Sequence, residues 1–446
     1  MRKETSSSPS KVCIVSLGCP KNLVDSEQMV GLLAAAGMGL TRRRDLADFV
    51  IINTCSFLAE ARQEAEAAIR EYSESRPDGQ KLAVAGCLVA HRGRELLRAF
   101  PDVDVFIHPS AIPEIIPAVR SMMSGDLRDR YVCRRGSFSG ELPRLRLTLP
   151  HTAYVRIADG CDNRCSYCTV PSIRGPFRSR PAEAVVEEVR RLVGEGVVEV
   201  NLIAQDTTSY GKDIHGGRSL ASLLRRLCAV EGLSWLRLLY AHPAYFDDEL
   251  IDVFRGESRL CEYVDLPLQH ISDRILESMG RGVTSAGARR LVASLRGRIP
   301  SAAIRTTVIV GYPGETEGEF EELLGFLAEA RFERLGAFAF SMEPGTAAFS
   351  LPGQIDGDVK EERLHTVMSL QGSISRELNE SLLGREVDVL VDAKLSEGGY
   401  GGVGRTRRHA PDVDGHVFIT GDGAAPGEIV RATIVGAGDY DLIGEA

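Results

Sequence analysis

The chain has 446 residues, of which 43% are hydrophobic and 26% are charged, and its formal net charge is −9. This length exceeds one ordinary hydrophobic core and predicts two or three domains. The negative charge disfavours a protein that binds nucleic acid mainly through its phosphates. The first ten residues lack the apolar core of a signal peptide, and no run of about 18 apolar residues is present to span a membrane. We therefore expect a cytoplasmic protein without membrane contact.

The chain from Lys11 to Ile107 alternates short apolar runs with amphipathic helical stretches. The candidate strands are rich in valine and isoleucine and read KVCIVSL, DFVIINT, KLAVAG and DVFI. Strands and helices in alternation predict βαβ units and an open parallel sheet. We assign residues 11–127 to this N-terminal α/β domain, and the charged, glycine-containing segment 128–146 to a linker.

A second alternating series occupies residues 147–380. Its six candidate strands are YVRIA, VEVNLIA, LRLLYA, YVDLPL, IRTTVIV and LGAFAF. Six βα units predict an open, partial (β/α)6 barrel, whose reactive groups should lie at the carboxyl ends of the strands. Residues 381–446 then carry β-like runs separated by Gly, Asp and Pro turns, which predict a small antiparallel β-barrel. The fold class is therefore α/β, with this β-barrel as a C-terminal addition.

Cys161, Cys165 and Cys168 form a C-x3-C-x2-C set in one loop, directly after a predicted strand. The chain has ten cysteines and no export signal, a combination that favours metal binding over disulfides. Thiolates are the usual ligands of iron–sulfur clusters, and three of them leave one iron of a 4Fe–4S cube open. The alternatives are a zinc site, which would need a fourth ligand such as His151, and buried thiols without a function.

Cys19, Cys55 and Cys87 each follow a predicted strand of the N-terminal sheet. The carboxyl ends of parallel strands meet in one crevice of an open α/β sheet, so three thiolates should converge there. They are enough for a second cluster with an open iron, and the alternative is that they are ordinary core cysteines. The other four cysteines have the character of core or linker residues without a role: Cys13, Cys133, Cys228 and Cys261.

The contiguous set, with Tyr167 directly before its last cysteine, resembles the signature of radical S-adenosylmethionine enzymes, whose fold is a partial βα barrel. The resemblance implies that the open iron chelates the amino and carboxylate groups of the cofactor's methionine. It also implies that reductive cleavage of the cofactor gives a deoxyadenosyl radical, which abstracts hydrogen from an unactivated carbon.

The three-domain arrangement resembles the methylthiotransferases, whose C-terminal part is the oligonucleotide-fold-like TRAM barrel. Four stretches are similar to the RimO branch of that family: SLGCPKNLVDSE, AQDTTSYG, DLPLQHISDRIL and GRTRRHAPDVDG. This branch adds a methylthio group to the β-carbon of an aspartate in small-subunit ribosomal protein S-twelve. The resemblance implies S-adenosylmethionine, an electron donor and two 4Fe–4S clusters, of which the second carries the sulfur. The implied metal ligands are Cys19, Cys55, Cys87, Cys161, Cys165 and Cys168.

Polar residues follow the predicted strands of the barrel. Gln205 and Asp206 follow the second strand, and we expect them, with Tyr167, to bind the cofactor. His242 follows the third strand, and Gln269 and His270 follow the fourth. The alternative for each is a structural role in a turn or cap, and no catalytic residue is assigned.

Arg174, Arg178 and Arg180 follow the contiguous cysteine set. A guanidinium at this place can pair with the carboxylate of the cofactor or of an acidic substrate side chain. Solvation at the surface is the alternative role for all three.

The C-terminal domain bears on the choice of substrate. From Arg385 onward the chain has eleven acidic and six basic residues, whereas an RNA-binding barrel should be locally basic with exposed aromatic residues. Its basic cluster consists of Arg405, Arg407, Arg408 and His409. We therefore predict a protein substrate, with nucleic-acid contact secondary. The alternatives are methylthiolation of adenosine in transfer RNA, a non-catalytic cluster carrier and a zinc-dependent binding module.

Overall fold

The computed structural model describes residues 10–133, 142–214, 216–395, 399–421 and 424–446. Residues 134–141 of the predicted linker lie outside the described residues. The chain divides into two compact units. The first contains Met1–Leu147 and Thr169–Pro176, and the second contains Thr148–Cys168 and Phe177–Ala446.

The first unit is built on a six-stranded parallel sheet, in the order β2-β1-β3-β4-β5-β6. The four predicted strands are present, and two short strands, β2 and β6, extend the edges. The strands are β1 (Lys11–Ser16), β2 (Gly39–Leu40), β3 (Phe49–Thr54), β4 (Lys81–Gly86), β5 (Val105–Ile107) and β6 (Tyr131–Val132). The helices are α1 (Pro20–Ala35), α2 (Ala59–Ser75), α3 (Cys87–Arg92), α4 (Leu96–Ala99), α5 (Ile115–Ser124) and α6 (Val170–Arg174).

Both faces of this sheet are covered, which explains the continuous apolar runs of its strands. Along β3, Phe49 and Ile51 belong to one buried cluster, while Val50 and Ile52 belong to another. Successive side chains of a strand point to opposite faces, so each cluster fills one side of the sheet. The buried sheet holds the carboxyl ends of its strands at one edge.

The second unit begins with six parallel strands, which match the six predicted ones. They form two three-stranded sheets, β11-β10-β7 and β12-β13-β14, and a parallel bridge joins Leu236 of β11 to Leu260 just before β12. The strands are β7 (Thr152–Arg156), β8 (Ala158–Asp159), β9 (Arg178–Ser179), β10 (Glu199–Ile203), β11 (Trp235–Leu238), β12 (Tyr263–Asp265), β13 (Ala303–Val310) and β14 (Arg334–Ala339). This is the predicted partial barrel, with β8 and β9 as a separate antiparallel pair.

Helices of the second unit pack their apolar faces on these strands. Apolar residues at helical spacing put Val185, Val189 and Leu192 on one buried face of α7. The helices are α7 (Ala182–Gly194), α8 (Leu220–Cys228), α9 (Asp248–Gly256), α10 (Asp273–Ser278), α11 (Ser285–Arg298), α12 (Glu317–Ala330) and α13 (Gly357–Glu380). Within the described residues, no helix has both the length and the apolar character needed to cross a bilayer.

The second unit ends in a closed five-stranded barrel, in the order β15-β16-β17-β19-β18. The predicted barrel is confirmed, except that the pair β17 with β19 is parallel while the other four pairs are antiparallel. Its strands are β15 (Glu386–Lys394), β16 (Gly402–Thr406), β17 (Val417–Thr420), β18 (Ile429–Ala437) and β19 (Leu442–Glu445). Alternate residues of β15, Val389 and Val391, fill the interior.

Candidate functional site

Three cysteines of the first unit lie at the carboxyl ends of neighbouring strands. Cys19 lies three residues after β1 and caps the start of α1. Cys55 follows β3 directly, and Cys87 is the first residue of α3, directly after β4. Because β1, β3 and β4 are adjacent in the sheet, the three thiols lie at one edge, as the sequence predicted.

A close packing of backbone and side chains fixes the position of Cys87. Gly86 has a φ of +97°, and a Cβ there would lie 2.3 Å from Oδ1 of Asn53. Asn53 is held in turn by hydrogen bonds that it donates to the carbonyl of Asn22 at 2.8 Å and to Oγ of Ser26 at 2.9 Å. Only glycine fits this turn, so the sequence before Cys87 is dictated by the site.

A buried arginine contacts this cysteine set from α6. Arg174 donates to Oδ2 of Asp25 and to Oδ1 of Asn22, both at 2.7 Å, and to Sγ of Cys87 at 3.3 Å. The side chains of Arg174 and Asp25 are only 5% and 2% exposed. The alternative of solvation at the surface is therefore wrong for Arg174, and the guanidinium is a buried neighbour of a thiol.

Burial and neighbouring charges shift the pKa values of two of these thiols. Burial raises the pKa of Cys55 and raises that of Cys87 to about 11. The positive charge of Arg174 opposes the effect of burial on both pKa values, whereas the charge of Cys19 adds to it. Thiols that resist ionisation in the apoprotein become thiolates when a metal binds, which couples binding to proton release.

The contiguous set lies in a loop of the second unit, after β7 and β8. Cys168 donates its backbone N–H to the carbonyl of Cys165 at 3.1 Å, which turns the loop back on itself. Two hydrogen bonds tie the loop to other parts of the second unit. Nδ2 of Asn163 in the loop donates to Asp206 at 2.9 Å, and the N–H of Ser166 in the loop donates to the carbonyl of Met279 at 3.0 Å.

A second buried arginine contacts this set. Nη1 of Arg281 donates to Sγ of Cys165 at 3.6 Å. Burial raises the pKa of Tyr167 well above its usual value, and the charge of Arg281 opposes that rise. The ring of Tyr167 packs against a small buried cluster that includes Ile275 and Met279. Its neutral phenol thus lies beside the thiols.

Gln205 and Asp206 have different environments at the end of β10. Gln205 donates to Oδ1 of Asp159 at 2.9 Å, while its own Oε1 is buried without a hydrogen-bond partner among the described residues. Asp206 already accepts four hydrogen bonds, from Asn163, the hydroxyl of Thr208, and the N–H and hydroxyl of Ser209. An orphaned acceptor favours ligand binding by Gln205, and a saturated carboxylate favours loop anchoring by Asp206.

Backbone strain marks the ends of β11 and β12. Tyr240 and Gln269 have positive φ angles of 62° and 76°, which residues with a Cβ adopt only at a cost. Oε1 of Gln269 is also buried without a hydrogen-bond partner in the described part of the chain. The sequence placed Gln269 at a strand end but did not predict the strain, because glutamine has no intrinsic preference for a positive φ angle.

His242 and His270 each accept a hydrogen bond from a nearby backbone N–H, and each is neutral. Nδ1 of His242 accepts from the N–H of Ala244, and Nδ1 of His270 accepts from that of Ser272. Burial lowers the pKa of His242 to about 3 and that of His270 to about 4. Both rings are therefore neutral at physiological pH.

The remaining predicted residues are distributed as follows. Arg180 pairs with Glu188 at 2.5 Å, and Arg178 is exposed in β9. Three cysteines without a predicted role are buried and one is exposed: Cys13, Cys228, Cys261 and, at the surface, Cys133. Among the described residues, no three His, Cys, Asp or Glu side chains are grouped as one metal ion would require. A four-iron cube binds each thiolate through a different iron, so it does not need that compact grouping.

Arg405 and His409 of the C-terminal basic cluster are buried in the second unit, and Arg407 and Arg408 are partly buried. Arg405 pairs with Glu199 at 2.8 Å and with Asp392 at 2.7 Å, and the Arg405 side chain is only 3% exposed. Arg407 donates to the carbonyls of Ser258 and Leu260, and Arg408 to that of Ser301. His409 is fully enclosed beside Arg334. These contacts join the β-barrel to the partial barrel within the second unit.

Three families match successive parts of the chain: an uncharacterized protein family, UPF0004, over residues 11–108, the radical SAM superfamily over 155–327, and the TRAM domain over 383–446. The proteins named ribosomal protein uS12 methylthiotransferase RimO from Geobacter sulfurreducens and Geotalea uraniireducens are both 46% identical to the chain. The first match covers 99% of each chain, and the second covers 98% of each.

Solved structures support the fold. The radical S-adenosylmethionine methyltransferase TsrM from Kitasatospora setae matches with a TM-score of 0.56 and 16% identity, over 88% of this chain and 79% of that one. The cobalamin-dependent S-adenosylmethionine radical enzyme OxsB matches with a TM-score of 0.54 and 11% identity, over 81% and 56%.

Proposed function

Because the chain belongs to the RimO family of ribosomal protein uS12 methylthiotransferases, we propose that it adds a methylthio group to the β-carbon of an aspartate in that protein, which is small-subunit protein S-twelve. The observation that carries this proposal is the similarity to RimO relatives over nearly the whole of both chains. The family uses S-adenosylmethionine and a 4Fe–4S cluster. An electron donor must also act, since cleavage of the cofactor is reductive.

The two cysteine sets fit the clusters that the proposal requires. Each set supplies three thiols, and each has one arginine within hydrogen-bonding distance of a sulfur atom. We propose that the radical-generating cluster is held by Cys161, Cys165 and Cys168, and that a second cluster is held by Cys19, Cys55 and Cys87. When bound, the clusters supply the one-electron and sulfur chemistry that side chains alone lack.

The proposed domain limits follow the same division. The proposed limits are 11–127 for the α/β domain, 128–146 for the linker, 147–380 for the radical S-adenosylmethionine barrel and 381–446 for the TRAM-like domain. The linker contains β6, which extends the sheet of the α/β domain. The three family matches, at 11–108, 155–327 and 383–446, support these limits.

The chain's own residues would bind and orient the cofactor. Gln205 offers an unpaired amide oxygen to a donor group of the cofactor, such as its ammonium. Asp206 acts one step away, because its contact with Asn163 fixes the cysteine loop. The partly buried ring of Tyr167 packs beside the thiols and would limit the access of water to them.

The contacts of the basic cluster favour a protein substrate over RNA. Arg405 is buried in ion pairs, and Arg407 and Arg408, which are partly buried, donate hydrogen bonds to backbone carbonyls inside the second unit. What remains exposed on the C-terminal domain is rich in Glu and Asp, such as Glu386, Asp388 and Glu445. An acidic surface is complementary to a basic protein and repels phosphates. Nucleic-acid contact is therefore secondary in this proposal.

A competition assay tests the proposal. Protein with reconstituted clusters is supplied, without oxygen, with reductant, sulfide, S-adenosylmethionine, protein uS12 and bulk transfer RNA. Mass spectrometry then detects a methylthio group on either macromolecule. We expect modification of an aspartate of uS12 alone.

The other outcomes assign the alternatives. Modified adenosine in transfer RNA would retain the chemistry and overturn the substrate. If neither product forms and no deoxyadenosine is released, the chain is a cluster carrier. Stoichiometric zinc without sulfide would contradict both the methylthiotransferase and the cluster-carrier hypotheses.

A further inference from the structure

The turn after α10 delivers an arginine to the contiguous cysteine set. The N–H of Arg281 donates to the carbonyl of Leu276 at 3.0 Å, which ends the helix. Gly280, with a φ of +68°, precedes it, and a Cβ there would lie 2.7 Å from the backbone oxygen of Arg164. The turn therefore needs glycine to approach the loop, and the same approach carries the guanidinium of Arg281 to Cys165.

The guanidinium of Arg281 is buried and has no carboxylate partner among the residues that the structure describes. Arg281 is only 5% exposed. Nη2 donates to the carbonyl of Pro267, Nη1 donates to Sγ of Cys165, and Nε has no hydrogen-bond partner among the described residues. No ion pair joins Arg281 to a carboxylate in the described part of the chain, although Asp206 is near enough for its charge to act. A buried cation is costly unless an anion compensates it.

The thiolate sulfur atoms of a bound cluster would supply the missing anion. Cys165 bound to iron is a thiolate, and a cube on three thiolates carries the negative charge of its ligands and sulfides. His242 does not add a competing charge, since burial and the charge of Arg281 lower its pKa to about 3 and leave it neutral at neutral pH.

We propose that Arg281 is a positioning residue that serves as the buried counter-charge of the cluster on Cys161, Cys165 and Cys168, and thereby favours its one-electron-reduced state. This inference rests on the proposed function. Its redox step is the transfer of one electron from a low-potential one-electron donor, which is oxidised, to the cluster, which is reduced. Arg281 makes no bond in this step and exchanges no proton; its fixed positive charge stabilises the added electron.

The expected effect is large because the charge is close and desolvated. A unit charge a few ångströms from a group in a partly buried site changes an equilibrium by about tenfold or more. Replacing Arg281 by Gln keeps amide donors but removes the charge. Replacing it by Lys keeps the charge on a similar stem.

The test uses full-length protein in which Cys19, Cys55 and Cys87 are replaced by Ala, so that only one cluster contributes. Dithionite titration at fixed pH is followed by electron paramagnetic resonance of the reduced cluster. We expect Arg281→Gln to lower the midpoint potential, so that the reduced fraction at a given ambient potential falls about tenfold. Arg281→Lys should restore most of it.

Arg334→Gln is the matched control. Arg334 is 7% exposed, has no ion pair to a carboxylate within the described residues and also has an unpaired Nε, but it contacts Ser375 and His409 rather than a cysteine. Its replacement should leave the midpoint potential unchanged.

Each other result has one meaning. If the parent protein with Arg281 binds no reducible four-iron cluster, the proposed function fails. If the parent binds one but the Gln variant has an unchanged potential, or the Gln and Lys variants shift equally, the counter-charge role is overturned. If neither variant takes up iron, the arginine is needed for its shape, which also overturns it; uptake by the Lys variant alone supports the role of charge.

Discussion

The two cysteine sets each bring three thiols together, but different parts of the fold position them. Cys161, Cys165 and Cys168 come from one loop, whose position depends on contacts from Asp206 and from the turn at Met279. Cys19, Cys55 and Cys87 come from the ends of three neighbouring strands, whose positions depend on the sheet itself. A short motif therefore needs support from distant parts of the chain, whereas a dispersed set is ordered by the fold.

The arginines beside the two sets also differ. Arg174 forms an ion pair with Asp25 at 2.7 Å and also donates a hydrogen bond to Sγ of Cys87. Arg281 has no such carboxylate contact among the described residues. A paired cation exerts a smaller net field than an unpaired one, so the cluster on the contiguous set should respond more strongly to loss of its arginine.

The largest expected effect separates the jobs of the two sets. Cys165→Ala should abolish both cleavage of S-adenosylmethionine and methylthio transfer. Cys55→Ala should abolish transfer but retain cleavage, because the proposed radical-generating set is intact. Deoxyadenosine and modified uS12 are measured in the same reaction. Cys228→Ala, which changes a buried cysteine outside both sets, is the control and should retain both; equal loss of cleavage in Cys165→Ala and Cys55→Ala would remove the distinction.

Glycines test how rigidly each set is held. Gly86→Ala and Gly280→Ala both place a Cβ in a backbone of positive φ and against a neighbour closer than 3.0 Å. Each should lower the free energy of unfolding by about 1–3 kcal/mol and reduce iron at its own set. Thermal denaturation and iron analysis check this. Gly297→Ala is the control, because it meets no atom within 4 Å and lies in α11, where Ala is favoured over Gly; it should not lower the free energy of unfolding and should leave the iron content unchanged.

Cofactor affinity distinguishes the two residues after β10. Gln205→Ala should weaken binding of S-adenosylmethionine by roughly tenfold, since one buried hydrogen bond is lost, with little change in stability. Asp206→Asn should instead lower the unfolding temperature, because the carboxylate accepts four hydrogen bonds. Equilibrium dialysis and calorimetry measure the two effects, and the reverse assignment of effects would show that Asp206 is the ligand.

A smaller shift is expected at the dispersed set. In protein that lacks the contiguous cysteines, Arg174→Gln should lower the midpoint potential of the remaining cluster by less than Arg281→Gln lowers that of its own. Arg144→Gln is the control. Arg144 forms a buried ion pair at 2.5 Å with Glu27, which lies on α1 as does Asp25, the partner of Arg174. Both replacements break a buried ion pair, but only loss of Arg174 should move the potential.

The pH dependence of stability tests the neutral histidines of the partial barrel. Burial lowers the pKa of His270 from its usual value near 6.5 to about 4. Its stabilising effect is therefore complete above about pH 6.5 and is lost as the pH falls toward 4, with a slope of up to about 1.4 kcal/mol per pH unit. His270→Asn keeps an acceptor for the N–H of Ser272 and should make the slope shallower. An unchanged slope in thermal melts between pH 4 and 6.5 would place the effect elsewhere.

The sequence predicted the six strands of the partial barrel and the alignment of Cys19, Cys55 and Cys87. Apolar runs of strand length can be recognised locally, and their alternation with helices implies parallel strands whose carboxyl ends lie at one edge. It did not predict β16, whose sequence GVGRT is rich in glycine. It also could not predict that Arg405 is buried, since the partners of that charge, Glu199 and Asp392, are known only from tertiary structure. The contact of Arg281 with Cys165 was missed for the same reason, as it joins residues 116 positions apart.

The measurement that tests the central claim most directly is the iron and sulfide content of three reconstituted proteins. These are the unmodified chain, the variant without Cys161, Cys165 and Cys168, and the variant without Cys19, Cys55 and Cys87. Two clusters held by separate sets predict about eight iron atoms per chain in the first and about four in each variant. About four in the unmodified chain, with none lost on removal of Cys19, Cys55 and Cys87, would contradict the account.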